Sequence, residues 1–483
     1  MRGPTRRLVT RCALTGSIVL AAAGIAGAAV GDPPPSSPEL VGRTTQSTDL
    51  ALSGFDGTGT TVAVIDTGVA DVAGMDGSVV HQENISAAPA AGDQYGHGTF
   101  VAGLVHATAP GAKIVSVKLS GANGAVDVTQ VLAALRWVVR HKDTYSIDVV
   151  NLSFGTDSQQ SPATSPLNYA VQQVWDAGIV VVASAGNLGD QPGTVTKPAD
   201  DPLIISVGAS NENGTSQRTD DTITSFDSRG PTSDGLAKPD LVAPGSRVVS
   251  LRAPGSTIDV EHPEARVGDT GFRGSGTSFA APIVAGIAAQ MLGANPALTP
   301  DRVKYGILST ARPIDGDPAA QGAGTIRAQL ALAAASSGRA NVGVTRGNGN
   351  GSIEGSRGSA RVRVVTPVID EVGQPAAEAV DVVGERTAEV PVTADSAPDL
   401  EAGDTVTESL STYVPDVLVD SATWQPVTDT TSTVTDLLAP VTTTVSTNAS
   451  RWGASRWGAS RWGAAEWSAS RWGAAQWWAS RWG

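Results

Sequence analysis

The stretch Gly274-Ser-Gly-Thr-Ser-Phe-Ala-Ala-Pro-Ile-Val-Ala-Gly286 decides the fold of this chain. Its Gly-Ser-Gly-Thr opening predicts a tight turn, and the small apolar residues that follow predict a buried helix over residues 280–292. Ser278 falls at the start of this helix, where unpaired N–H groups and the helix dipole favour a developing negative charge. The position suits either a nucleophile or an ordinary N-cap, because serine is a common capping residue.

The sequence around this stretch alternates between short strands and helices. The predicted strands are rich in Val and Ile, which is typical of buried parallel strands. They cover residues 61–65, 114–117, 148–152, 179–183 and 203–207, and the other predicted helices cover residues 99–106, 128–140, 166–177 and 300–309. The alternation predicts an α/β domain of three layers, in which a mostly parallel central sheet has helices on both faces.

The two ends of the chain differ from its body in charge. Residues 1–29 have the build of a secretory signal peptide, with a basic start, an uncharged apolar stretch and small residues at the end. Its Cys12 is the only cysteine, so we expect a secreted protein that is stable without disulfides, extracellular or bound to the cell envelope. The net charge of −14 is concentrated in the body and argues against nucleic acid as a partner.

Composition divides the remainder of the chain into four segments. Residues 30–49 are predicted to be an extended Pro- and Ser-rich leader, and residues 50–338 form the α/β domain. Residues 339–448 are predicted to be a linker or a loosely folded acidic, Thr- and Val-rich region, with possible strands at 361–368 and 388–392. No stretch after the signal segment is predicted to be long and apolar enough to span a membrane.

Residues 449–483 form a repeat tail with the unit Ala-Ser-Arg-Trp-Gly, in which tryptophan recurs every five residues. A period of five matches neither a helix nor a strand, so the tryptophans cannot all share one buried face. We therefore expect this low-complexity tail to bind a cell-wall or surface polymer through stacking and charge. The alternative is a tail with little function.

Three further motifs carry residues that could do chemistry with Ser278. Asp66 directly follows an apolar strand, and reacting groups gather at that edge of an open α/β sheet. His97 lies between two glycines at the start of a helix, where it could act as a general base or simply mark the helix entry. Asn187 closes another apolar strand, where its amide could donate to an oxyanion.

The order Asp66, His97, Asn187 and Ser278, in these four contexts, resembles the subtilisin family of serine peptidases over residues 50–335. The resemblance implies a subtilisin-like fold and a secreted endopeptidase that works through an acyl-enzyme. Ser278 would be the nucleophile, His97 the base, Asp66 the residue that orients the imidazole, and Asn187 the oxyanion-hole donor. No cofactor is expected for catalysis.

The resemblance also implies two substrate-binding segments. One would pair with an extended peptide through backbone hydrogen bonds, and the other would form a wall of the pocket for the side chain before the scissile bond. The first comprises Ser153, Phe154 and Gly155, and the second comprises Ala183, Ser184, Ala185 and Gly186. Structural calcium is possible in such a protein, but the sequence assigns no ligands to it.

The sequence departs from the family pattern at Phe100, where many relatives have a second histidine, and in polar stretches at 211–221 and 252–271. We interpret these stretches as insertions near the cleft that leave specificity open. Two alternatives to a general endopeptidase remain at this point. One is a catalytically idle domain whose tail carries the function, and the other is a peptidase with one dedicated substrate.

Overall fold

The computed structural model describes residues 35–358, except residues 76, 87, 89, 90 and 125, together with the backbone of residues 363–369, 375–381 and 461–462. The predicted signal peptide, the possible strand at 388–392 and nearly all of the repeat tail lie outside the described residues.

The helices and strands alternate through the body of the chain. The strands are β1 Thr61–Asp66, β2 Val79–Asn84, β3 Lys113–Lys118, β4 Ile147–Leu152, β5 Val180–Ser184, β6 Ile205–Asn211, β7 Thr222–Ile223, β8 Leu241–Pro244, β9 Val248–Leu251, β10 Arg266–Val267, β11 Gly271–Ser275, β12 Arg363–Ile369, β13 Pro375–Asp381 and β14 Arg461–Trp462. The helices are α1 Pro38–Thr45, α2 Ser47–Leu52, α3 His97–Thr108, α4 Val128–Tyr145, α5 Pro166–Asp176, α6 Thr257–Glu261, α7 Thr277–Ala294, α8 Pro300–Thr310, α9 Pro318–Gln321, α10 Ala328–Ala334 and α11 Ile353–Ser356, with a 3-10 turn at Pro263–Ala265.

The central sheet has eight strands in the order β2-β3-β1-β4-β5-β6-β7, and β8 also pairs with β6. All of these pairs are parallel except β6 with β7. Strand β1 lies between β3 and β4, so the strand order reverses direction beside it. The carboxyl edge of a sheet at such a reversal is where ligands bind in open α/β folds. The predicted α/β class and mostly parallel sheet are confirmed.

Helix α7 is the central helix of the domain. It packs against α3 and strands β4, β5 and β6, and it is buried from Thr277 to Leu292. It begins three residues earlier than predicted, because the Asn187 side chain accepts a hydrogen bond from the Thr277 N–H. That partner lies 90 residues away in sequence, so local pattern could not reveal it.

By length and composition α7 could cross a membrane, so the prediction that no later stretch is long and apolar enough was wrong. The hydropathy of its 18 residues averages 1.4, but 89% of them are buried inside the protein. This combination is typical of the core helix of a folded domain.

The prediction of an extended leader was wrong for its second half. Helices α1 and α2 fold onto the domain, with Val41 and Leu50 in the hydrophobic core. Ser36 precedes them and bonds by its backbone to both Arg247 and Val249. Apolar residues at helical spacing explain this packing, whereas the prolines of the preceding stretch dominated the prediction.

Residues 345–358, near the start of the region predicted to be a linker or loosely folded, are anchored to the domain. Arg346 pairs with Asp176 at 2.7 Å, the Asn348 N–H bonds to the carbonyl of Ala163, and Arg357 pairs with Asp127 at 2.7 Å. These contacts fasten the segment along α4 and α5. Glycine-rich composition lowers the helix and strand propensity of a segment, but it does not prevent side chains from anchoring it.

Candidate active site

The carboxyl edge of the sheet brings the predicted catalytic residues together. Asp66 ends β1, His97 is the first residue of α3, and Ser278 is the second residue of α7. Glycine is required where α3 meets β1, because a Cβ on Gly98 would lie 2.1 Å from the Gly68 carbonyl oxygen. This close approach places His97 directly over the end of β1.

His97 and Asp66 form a fully buried pair. The His97 Nδ1 lies 3.0 Å from Asp66 Oδ1 and 3.2 Å from Oδ2. Asp66 Oδ1 also accepts the Thr67 N–H at 2.7 Å. Complete burial raises the pKa of Asp66, while the His97 imidazole and the Thr67 N–H act in the opposite direction. The carboxylate holds the proton of the imidazole on Nδ1, which leaves Nε2 as the acceptor.

Ser278 and Ser153 are joined by two reciprocal hydrogen bonds. The Ser278 Oγ donates to the Ser153 carbonyl at 3.0 Å, and the Ser153 Oγ donates to the Ser278 carbonyl at 2.8 Å. Pro282 explains the second bond: it lacks the N–H that would otherwise reach the Ser278 carbonyl within α7. The end of β4 is thereby fixed to the start of the central helix.

The Asn187 side chain is oriented by Thr277. Its Oδ1 accepts both the N–H and the Oγ of Thr277, at 2.8 and 3.0 Å. The amide NH₂ is the end that remains for a substrate, beside the N-terminal N–H groups of α7. Two donors at one point can stabilise a negatively charged oxygen.

This chain matches the subtilase family, Peptidase S8, over residues 57–342. It belongs to the subtilase family. Serine protease AprX of Bacillus subtilis (strain 168) is 38% identical over 291 residues, which are 56% of this chain and 66% of that protein. Subtilisin Savinase of Lederbergia lenta is 31% identical over 291 residues, 58% of this chain and 92% of that protein. A crystal structure of a cold adapted subtilisin-like serine proteinase matches with 29% identity and a TM-score of 0.44, over 55% of this chain and 88% of that chain.

The predicted substrate-binding segments of this subtilase follow β4 and β5. In the first segment, Ser153 bonds to Ser278, while the assignment of Ser153, Phe154 and Gly155 to substrate binding stays a prediction. In the second segment only Gly186 is partly exposed. Ala183 is fully buried within β5, between Leu152 and Ser206 on the neighbouring strands, as are most atoms of Ser184 and Ala185. Ala183 is therefore covered by its neighbours in the sheet and is not itself exposed to a substrate.

Asp93, which no sequence motif singled out, organises the turn before His97. Its Oδ1 accepts the Gly96 N–H and the Thr67 hydroxyl, and its Oδ2 accepts the N–H and hydroxyl of Thr99. An aspartate three residues before a helix-starting glycine, with threonine two residues into the helix, is a capping signal that could have indicated it. Asp93 thus fixes Thr67, which follows Asp66, and Gly96, which precedes His97.

Phe100, at the position where many relatives were expected to have a second histidine, makes an apolar contact with Phe279. Its ring lies 4.4 Å from that of Phe279, which in turn lies 5.5 Å from the imidazole of His97. The two phenylalanine rings are tilted by 45° to one another and pack between α3 and α7. The substitution therefore leaves His97 in position.

Within the part of the chain that the structure describes, no three His, Cys, Asp or Glu side chains are grouped so that they could hold a metal ion. Structural calcium, for which the sequence assigned no ligands, remains an expectation without assigned residues.

Proposed function

We propose that this protein is a secreted serine endopeptidase that hydrolyses polypeptides through Ser278, His97 and Asp66. The observation that carries the proposal is the buried hydrogen bond of His97 to Asp66 at the edge where α7 presents Ser278. Family membership supports the same chemistry. A basic, apolar first segment supports secretion to the outside of the cell or to its envelope.

The reaction would proceed by two acyl-transfer steps. The Ser278 Oγ leaves the Ser153 carbonyl, gives its proton to His97 Nε2 and attacks the carbonyl carbon of the peptide. The Asn187 amide and backbone N–H groups at the start of α7 donate to the oxygen that becomes negative. His97 then protonates the leaving amine as the C–N bond breaks, and water repeats the sequence to release the acid and restore Ser278.

Labelling with a fluorophosphonate probe tests this proposal, because such probes react with a serine only when it is activated. We expect the purified protein to be labelled and the Ser278→Ala variant to remain unlabelled. Ser275→Ala, a second serine in the same turn, serves as the matched control and should be labelled. A folded wild-type protein that takes up no label would contradict the proposal and favour the idle-domain alternative.

We also propose that the Trp and Arg repeats of residues 449–483 hold the enzyme at the cell envelope. Repeated aromatic and cationic side chains suit a polymer surface, on which many weak contacts add up. One unit, Arg461–Trp462, runs antiparallel to Gly274 and Ser275 of β11.

Deletion of residues 449–483 is expected to move the protein from the envelope fraction to the culture medium. The measurement is the share of the protein that sediments with washed envelopes. Replacement of every tryptophan in the tail by alanine, at unchanged length and charge, separates stacking from charge. Sedimentation that is unaffected by the deletion would rule out anchoring by the tail.

A further inference from the structure

The insertion at 252–271 builds one wall of a cavity next to His97. The cavity has a volume of about 590 Å³. It is lined by Asp93 and Gln94, which lie four and three residues before His97 in the chain, and by residues 254–257, Val260 and Glu261. Ala122 lines it as well and, being small, leaves it open.

Hydrogen bonds fix this wall relative to the catalytic histidine. The N–H groups of Thr257 and Ile258 bond to the carbonyls of Gln94 and Tyr95, at 2.9 and 3.1 Å. The Thr257 hydroxyl donates to the carbonyl of Ala122 at 2.7 Å. Gly96 is in close contact with Ser256 and Ile258, since a Cβ there would lie 2.4 Å from the Ser256 Oγ. These contacts hold the wall against the segment that leads to His97.

Two carboxylates line the cavity, and they differ in what they can still bind. Asp93 uses both oxygens within the protein, as described above. Glu261 is exposed and makes no hydrogen bond or ion pair with any residue that the structure describes. Burial, and after it the charge of Glu261, raises the pKa of the neighbouring Tyr95.

The nearby basic side chains bond to groups other than Glu261. Arg252 and Arg266 both pair with Asp259, at 3.6 and 2.7 Å. Lys118 lies behind Gln94, where its ammonium donates to the side chain of Gln94 and to the carbonyl of Gly92. His262 faces Glu264 at 3.3 Å. The charge of Glu261 is thus left without a partner from these side chains.

We propose that this cavity receives a lysine or arginine side chain of the substrate, with Glu261 as its counter-ion. Long basic side chains combine an apolar stem with a charged end, and the lining matches them: Pro254 and Val260 are apolar, and Glu261 is charged. The inference rests on the proposed peptidase function and adds a substrate preference to it. It gives the stretch at 252–271 a role in substrate specificity, which the sequence had left open.

The test is a set of fluorogenic peptides in which each of the four positions before the scissile bond carries Arg, Gln or Glu in turn. At one position we expect kcat/KM to be at least about fivefold higher for Arg than for Gln, and this ratio to fall with added salt. Glu261→Gln should bring the ratio close to one, and Glu261→Lys should reverse it in favour of Glu. A purely structural role of Glu261 would not produce the reversal.

Glu264→Gln is the matched control, because Glu264 lies on the same insertion outside the cavity and its variant should keep the ratio for Arg over Gln. Hydrolysis without any charge preference, or a preference that survives Glu261→Lys, would overturn the inference about the cavity. The proposed peptidase function would remain. If a folded protein cleaves none of the peptides, the proposed peptidase function is overturned together with it.

Discussion

Replacement of Asp66 by asparagine is expected to lower kcat about 10⁴-fold, the size of effect associated with the wrong tautomer of a catalytic imidazole. Thr67 determines the outcome, since its N–H donates to Oδ1 at 2.7 Å and will keep the carbonyl oxygen of an asparagine at that position. The amide NH₂ then replaces Oδ2 and points at His97 Nδ1, 3.2 Å away. A donor there forces the imidazole proton onto Nε2, where the proton of Ser278 has to be accepted.

Steady-state kinetics on a peptide substrate measures this effect, with circular dichroism to verify that the variant is folded. Asp127→Asn is a suitable control, because Asp127 is likewise a hydrogen-bonded aspartate, but it caps α4 and pairs with Arg357. It should lower stability with little change in kcat. A decrease of less than tenfold for Asp66→Asn would show that Asp66 does not set the tautomer of His97.

Glu212→Gln is expected to increase stability at alkaline pH by up to about 5 kcal/mol. Glu212 is fully buried, and burial raises its pKa from 4.5 to about 8, assisted by the neighbouring charge of Asp221. Hydrogen bonds from Ser36 and Ser210, at 2.8 and 3.0 Å, only partly offset this. The difference between 4.5 and about 8 sets the upper limit, since each tenfold change in acidity corresponds to about 1.4 kcal/mol.

The direction follows from proton linkage. Between pH 4.5 and about 8 the folded protein keeps the proton on Glu212 while the unfolded chain loses it, so stability falls as the pH rises through this window. Because glutamine carries no charge, the variant does not lose stability in this way as the pH rises. Lys304, whose pKa burial lowers to about 8, acts in the opposite direction above that pH, so the difference between variant and parent isolates Glu212.

Urea unfolding at pH 5, 7 and 9 provides the measurement, in a Ser278→Ala background that prevents self-digestion. The two proteins should be similar at pH 5 and diverge as the pH rises. Glu264→Gln, at an exposed site, should follow the parent at every pH. Equal free energies of unfolding for Glu212→Gln and its parent at pH 9 would contradict the prediction.

Several features of this protein could be read from the sequence because their signals are local. The short apolar runs placed five of the sheet strands, and the polar residue that ends or follows such a run identified Asp66 and Asn187. Glycines on both sides of His97 marked the close approach of α3 to β1. Burial periodicity and capping act over a few residues, so a sequence displays them directly.

Tertiary structure alone decided which of these residues touch. Ser153 bonds to Ser278 across 125 residues, and Asn187 bonds to Thr277 across 90. The anchored segment at 345–358 and the cavity wall at 254–261 were likewise invisible in composition. The physical reason is that these contacts arise from packing between distant segments, where the partner of a polar group depends on the shape of the whole domain and leaves no periodic trace in the chain.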